Sequence, residues 1–296
     1  MKLVLEGGGS RAAFSAGVVH GLLSSGVAPK VIVGSSSGSM NAAFAAAGQS
    51  EVACDIWRDV IPGKRFISWQ RQFTPWGPPG LGIDDLLDNV IRAQQLLDVE
   101  RAVSGPTHLY VTLTDVETSE VHIARPGTHD FWDWMRASLA LPVGYNRVVS
   151  VHGRGYIDGG VACPAAFDDP LPEAYPEPTV VVMTRSVHTK KAPPALWERV
   201  AIRTIVPAPA RRTCLEQHHA YNEAMVRLRE AAESGRVMLI DPPPEGLPVS
   251  RLTRDAGPIR KAVALGIEAG KRASERVFAL VSGRAQASPV GSEPQS

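Results

Sequence analysis

Val31-Ile32-Val33-Gly34-Ser35-Ser36-Ser37-Gly38-Ser39-Met40-Asn41 reads as a buried strand, a serine turn and the first turn of an Ala-rich helix that Gly48 closes. Gly-x-Ser-x-Gly between a strand and a helix is the setting of a nucleophile elbow. The flanking glycines let backbone pack around a strained serine, whose hydroxyl projects above the sheet beside the N–H groups of the following helix. Ser36 is therefore the candidate nucleophile, with Gly34 and Gly38 as the elbow glycines. In isolation the same five residues would read as a flexible loop; the strand before them and the helix after them decide otherwise. Working outward, Lys2 to Leu5 is a short apolar strand that breaks into Glu6-Gly7-Gly8-Gly9-Ser10-Arg11, and a small-residue helix follows through Ala12, Phe14, Ala16, Gly17 and His20 to Leu23. Two consecutive strand–turn–helix units predict an α/β fold, a three-layer sandwich with a mostly parallel central sheet and helices on both faces.

Gly7, Gly9 and Ala12 also satisfy the Gly-x-Gly-x-x-Gly/Ala dinucleotide fingerprint. That site needs an acidic residue about twenty positions on, at the end of the second strand, to hold a ribose. Here the second strand ends in Gly34-Ser35-Ser36, with no carboxylate. The glycines are better explained as an oxyanion hole whose backbone N–H groups face the serine on the adjacent parallel strand, with Gly8, Gly9 and Ser10 as the expected donors.

Further along, Val52 to Val60 reads as helix, and Pro62 to Gly82 is a loop dense in Trp, Phe, Pro and Gly. Phe66, Trp69, Phe73 and Trp76 have two roles open to them: satellite core, or contact with an acyl chain or membrane, as expected of a lid. Asp84 to about Val103 is amphipathic and predicts one helix, so that residues 62–103 form a lid-like insertion. Leu109 to Thr114 and Val121 to Ala124 predict a hairpin, Phe131 to Leu139 a helix that Pro142 ends, and Val148 to Ile157 a second hairpin that delivers Asp158-Gly159-Gly160 at a strand end. Thr179 to Thr184 and Val237 to Ile240 are apolar strands, with helices at Glu216 to Ser234 and Pro258 to Val281. Residues 283–296 are rich in Gly, Ser, Pro and Gln and predict a disordered tail after one domain, residues 1–282.

Taken together, these motifs resemble the patatin-like phospholipases, whose pattern is a Gly-Gly-Gly-x-Arg-Gly turn, a Gly-x-Ser-x-Gly elbow and a distant Asp-Gly-Gly or Asp-Gly-Ala. The chain offers Gly7-Gly8-Gly9-Ser10-Arg11, the elbow with Met40-Asn41-Ala42 behind it, and Asp158-Gly159-Gly160. Ala137-Ser138-Leu139-Ala140-Leu141-Pro142 is similar to the family's segment ahead of the aspartate. Ala12 stands where the family has glycine, a change that a helical backbone accepts readily. The resemblance spans Met1 to about Pro164. It implies a Ser-Asp dyad of Ser36 and Asp158, hydrolysis of acyl esters or phospholipids, and no metal or organic cofactor. Asp-Gly alone is ordinarily a turn; Asp158 is a candidate base because it coexists with the elbow and the glycine turn. Arg11 would hold the turn, meet a phosphate or form an ion pair.

Composition sets the outer bounds. A formal charge of +1 gives no global signal for nucleic acid or anionic lipid, so lipid contact has to be local, as at the aromatic loop. Cys54, Cys163 and Cys214 are odd in number and widely spaced, which predicts neither a disulfide framework nor a zinc site. No signal peptide or spanning run is legible, so the expected location is the cytoplasm, with peripheral membrane contact open. Of eight histidines, His218 and His219 fall where a triad histidine would come, whereas the early elbow argues against an ordinary α/β-hydrolase order. An acyltransferase working through the same acyl-Ser36 intermediate, and a non-catalytic relative, are the rival functions.

Overall fold

A computed structural model describes residues 1–63, 65–68, 80–171 and 178–282. Trp69, Phe73, Trp76 and the 283–296 tail, for which roles were expected, lie outside the described residues.

Eight strands form one sheet: β1 (Lys2–Leu5), β2 (Val31–Ser35), β3 (His108–Asp115), β4 (Val121–Ala124), β5 (Val149–Val151), β6 (Arg154–Asp158), β7 (Thr179–Val182) and β8 (Val237–Ile240). The order is β5-β6-β3-β2-β1-β7-β8, with β4 also paired to β3. β1, β2, β3, β7 and β8 run parallel, and β4, β5 and β6 are antiparallel additions. The helices are α1 (Ala12–Ser24), α2 (Ser37–Ala46), α3 (Ser50–Asp55), the π-helical α4 (Asp85–Arg92), α5 (Val99–Ser104), α6 (Phe131–Leu139), α7 (Leu196–Ile205), α8 (Ala208–Glu233) and α9 (Ala256–Val281).

Period-2 alternation divides the core between the two faces. Leu3, Leu5, Ile32, Leu109, Val180 and Val182 pack with Phe14 and Val18 of α1, Phe44 of α2 and Ile259 and Val263 of α9. Val4, Val33, Tyr110, Val181 and Met183 point the other way, onto Tyr221, Met225 and Leu228 of α8. The result is the expected layering of helices, sheet and helices. α1 and α9 approach at Gly17, Gly21, Gly266 and Gly270, where a Cβ on any of the four would meet the partner's backbone carbonyl within 2.4 Å. Backbone-to-backbone contact of that kind requires glycine.

Three elements depart from expectation. The helix predicted over 84–103 is two helices, because Gln95 turns at φ 53° and Asp98 caps α5 by accepting from Arg101 N–H at 3.0 Å. α8 begins at Ala208 rather than Glu216, with a proline in its first turn where a missing N–H costs nothing. α7 was not expected at all. It buries only Ile202 and exposes Leu196, Trp197 and Val200, so its sequence carries no inward apolar stripe. The signal that could have found it is Glu198, whose carboxylate accepts from the Ala195 N–H at the helix start.

Candidate active site

Sheet register brings the elbow and the aspartate together. β4 occupies one edge of β3 at Val111–Thr114, so β2 and β6 share the opposite edge end to end: Ser35 pairs with Thr112 and Asp158 with Leu113, the next residue. Residues about 120 positions apart in sequence thus meet where β2 stops.

Ser36 occupies φ 52°, ψ −130°, a strained conformation for a residue with a side chain. Neighbouring backbone holds it there. A Cβ on Gly34 would lie 2.4 Å from Ser39 Cα, and one on Gly38 would lie 2.6 Å from Leu5 O, so the two elbow glycines seat the turn against α2 and β1. Behind the elbow, Asn41 donates to Ala12 O at 2.8 Å and Ser15 Oγ at 3.0 Å and accepts from Trp57 Nε1 at 2.9 Å, fixing α2 to α1.

Asp158 is 1% exposed. Its Oδ1 accepts from the Gly160 N–H at 2.8 Å, its carbonyl accepts from Thr114 Oγ1 at 2.8 Å, and its N–H donates to Ala140 O at 3.0 Å. A Cβ on Gly159 would lie 2.2 Å from Thr112 O, so the second residue of Asp-Gly-Gly admits no side chain. Oδ2 is buried without a formed hydrogen bond, and the Ser36 hydroxyl is near enough to act on the carboxyl as a donor. Burial raises the Asp158 pKa from 3.8 to about 6, against the opposing pull of Ser36, the Gly160 N–H, Arg251 and Lys191. A base with a pKa near neutrality is well matched to proton transfer at physiological pH.

The glycine turn lies directly across from the elbow. Gly8 N–H donates to Ser37 Oγ at 3.1 Å and Ser10 N–H to Arg251 O at 2.9 Å, so two of the three expected oxyanion donors are engaged. Gly7 and Gly9 N–H have no such partner among the described residues. Buried Glu6 steadies the turn by accepting from Thr184 N–H at 2.6 Å, Thr184 Oγ1 at 2.8 Å and Tyr221 OH at 3.1 Å. Arg11 lines the same cavity and forms no ion pair among the described residues; its Nε is buried and unpartnered.

A cavity of about 630 Å³ contains Ser36, Asp158 and the turn from Gly7 to Arg11, with an apolar wall of Trp57, Ile61, Phe66, Ile67, Leu81 and Leu86. Phe66 is itself 4% exposed and belongs to the core. Arg136 of α6 bridges Asp84 at 2.9 Å and Asp88 at 2.6 Å, tying α6 to α4 and the residue before it. His218 also lines the cavity, with Nδ1 3.2 Å from Leu215 O and its ring against His219 at 3.9 Å. Among the described residues neither ring hydrogen-bonds to Ser36 or Asp158. Gln217, which the sequence did not single out, donates to Gly160 O and so braces the Asp-Gly-Gly turn.

Away from the cavity, His129, Asp130 and His152 hold potential ligand atoms within 4.8 Å of one another, a grouping that sequence spacing did not reveal. His152 Nε2 lies within hydrogen-bonding distance of Asp130 Oδ2, at 2.8 Å. All three cysteines are free and buried, and burial pushes the Cys54 and Cys214 thiols up to about 12, so neither is poised as a nucleophile. Among the described residues, no helix is long and apolar enough to cross a membrane.

A family model for patatin-like phospholipases matches residues 3–169, the stretch from β1 through the Asp-Gly-Gly turn. Among solved structures, VipD from Legionella pneumophila is similar at 14% identity and a TM-score of 0.46, over 94% of this chain and 66% of that one, so the chain spans just under two thirds of its length. No curated protein matches.

Proposed function

The chain belongs to the patatin-like phospholipase family, and on that footing we propose that it hydrolyses acyl esters of lipids with Ser36 as nucleophile and Asp158 as base. The observation that carries this reading is the end-to-end placement of β2 and β6 on one edge of β3. It sets a strained serine beside a buried carboxylate whose second oxygen awaits a hydrogen bond.

In the proposed course, Ser36 Oγ attacks the ester carbonyl carbon while its proton passes to Asp158. The carbonyl oxygen becomes an oxyanion, which the turn's free N–H groups, Gly7 and Gly9, and the N-terminus of α2 would stabilise. When the tetrahedral intermediate collapses, Asp158 returns the proton to the leaving alcohol. Water then attacks the acyl-Ser36 carbonyl carbon as Asp158 takes its proton, and on collapse Asp158 hands that proton to the departing Ser36 Oγ, which releases the acid and restores both serine and carboxylate. No step calls for a metal or organic cofactor. The apolar wall is suited to an acyl chain, and the exposed Leu196, Trp197 and Val200 of α7, beside a cavity that Trp197 lines, would meet a lipid surface together with Arg199 and Arg203.

Labelling with a fluorophosphonate tests the reading. Covalent modification confined to Ser36, located by mass spectrometry and prevented in Ser36→Ala, is the expected result. An unlabelled, folded protein would exclude serine catalysis. Product analysis with an added alcohol acceptor separates hydrolysis from acyl transfer.

A further inference from the structure

The cavity is lopsided in charge. Its lining carries Arg11, Arg185, Lys190, Lys191 and Arg251 against three acids, Glu6, Asp158 and Glu198. Two of those acids are already engaged by protein donors: Glu6 by Thr184 and Tyr221, and Glu198 by the Ala195 N–H at 2.8 Å. Among the described residues, no carboxylate lies within ion-pairing distance of Arg11, Arg185, Lys191 or Arg251. Arg11 Nε and Arg185 Nε are shut away from solvent with no hydrogen-bond partner. An unfilled, buried guanidinium donor is costly, because arginine does not shed its charge to escape.

These cations are also neighbours. Arg185 and Lys191 both stand over the Tyr221 ring, at 5.3 and 5.8 Å from its centre. Burial, together with repulsion from Arg185 and Arg251, brings Arg11 down to about 10; burial, with Arg251 and Arg185 beside it, brings Lys191 to about 7. Backbone contacts fix the frame. Arg251 O accepts from Ser10 N–H at 2.9 Å, Lys191 is clasped by Asn222 through bonds of 2.8 and 3.1 Å, and Arg185 follows Thr184, which Glu6 holds. Like charges gathered in a rigid, partly desolvated pocket destabilise it unless an anion enters.

We propose that Arg11, Arg185, Lys191 and Arg251 form a phosphate-binding cradle at the polar end of the catalytic cavity, which selects acyl esters carrying a phosphate monoester over diester and neutral ones. Three of the four lie outside the span that matches the family. Five basic residues against three acids leave the lining net positive, and a phosphate monoester, which carries about two negative charges near neutral pH, would hold Lys191 in its protonated form. Forked guanidinium donors suit its several oxygens, whereas a diester or a carboxylate would leave part of the charge and part of the donors unanswered. The inference deepens the acyl-ester reading and rests on it for the identity of the bound molecule.

The test has two arms. In the first, kcat/KM is measured on three soluble short-chain substrates: a diacylglycerol phosphate, its choline diester and the neutral diacylglycerol. The monoester should lead, and its ratio to the neutral ester should fall about tenfold or more in Arg185→Gln and in Arg251→Gln. Arg251→Gln retains the carbonyl that holds Ser10, so it answers the question even if Arg185→Gln misfolds. In the second arm, inorganic phosphate is titrated into Ser36→Ala by calorimetry. Saturable binding that weakens in Arg251→Gln is expected. Equal ratios in wild type and both variants, with no saturable phosphate binding, would overturn the cradle. Phosphate binding with equal ester ratios would overturn the headgroup assignment and make the ligand soluble phosphate. Phosphate binding without turnover of any ester would sustain the cradle and sink the hydrolase.

Discussion

Gly7 faces Ser36 so closely that a Cβ added to Gly7 would stand 2.8 Å from the Ser36 Cβ. The glycine turn and the serine elbow therefore touch across two adjacent parallel strands, β1 and β2. Gly7→Ala must push the elbow or the turn away, displacing the donors from the reacting carbonyl. The expected loss in kcat on a soluble ester is about 10²–10³-fold, the range for loss of an oxyanion donor, with a circular-dichroism spectrum unchanged. Full turnover by a folded Gly7→Ala protein would show that this turn does not stabilise the oxyanion.

Ser36→Ala should abolish hydrolysis, by roughly 10⁶-fold in kcat for a nucleophile that works as a unit with its base. The backbone at Ser36 offers a second readout. At φ 52° a glycine relieves strain of about 1–3 kcal/mol, so Ser36→Gly should melt above the wild type while equally inactive. Turnover in either variant, purified free of host esterases, contradicts the assignment.

Leu196→Gln with Val200→Gln should lower turnover of vesicle-borne substrate several-fold while a short soluble ester is processed as before. Both side chains are largely exposed on α7 and neither lines the cavity. Contact with a lipid surface would sense them, whereas a soluble ester reaching the cavity would not. Equal rates on both substrates would remove α7 from the membrane reading.

A chelator should leave soluble-ester turnover unchanged. The groups proposed for the reaction are a hydroxyl, a carboxyl and backbone N–H donors, and His129, Asp130 and His152 do not line the cavity. A rate lost to chelation and restored by one divalent ion would require a different mechanism.

Much of the site was legible because glycine is so specific. Gly34 and Gly38 mark backbone contacts closer than any Cβ allows. The near-continuous apolar run from Thr179 to Thr184 likewise marked a strand buried in a parallel sheet, and Val180 and Val182 do lie on one face with Val181 and Met183 on the other. What the sequence hid were juxtapositions set by long-range packing. Arg185 and Lys191 reach the cavity from the loop between β7 and α7 and Arg251 from the loop between β8 and α9, and no periodicity links them to Arg11. The engagement of Ser10 by Arg251 depends on the second of these loops, and that of Gly8 by Ser37 on the first residue of α2.

Asp158 distinguishes a dyad from a triad. An ordinary carboxylate base gives an acid limb well below the histidine range; burial places that of Asp158 at about 6, so the base is identified by more than the limb's position. Activity should still fall as pH drops through about 6, since the base must be ionised, and the limb should scarcely move with temperature, as expected of a carboxyl and not of an imidazole. Stability has the opposite dependence. With a folded pKa above the ordinary 3.8, the protonated carboxyl stabilises the fold fully below pH 3.8, and that contribution is lost as pH rises through about 6. The difference amounts to about 3 kcal/mol at 1.36 kcal/mol per pH unit. Asp158→Asn, which keeps an acceptor for the Gly160 N–H, should therefore melt higher than the wild type at pH 8 and no higher at pH 4. It should lose kcat by at least the 10²–10⁴-fold that a general base supplies, whereas His218→Gln and His219→Gln should retain most turnover. A folded His218→Gln protein that is inactive, beside an active Asp158→Asn, would make the histidine the base and leave the aspartate a structural role.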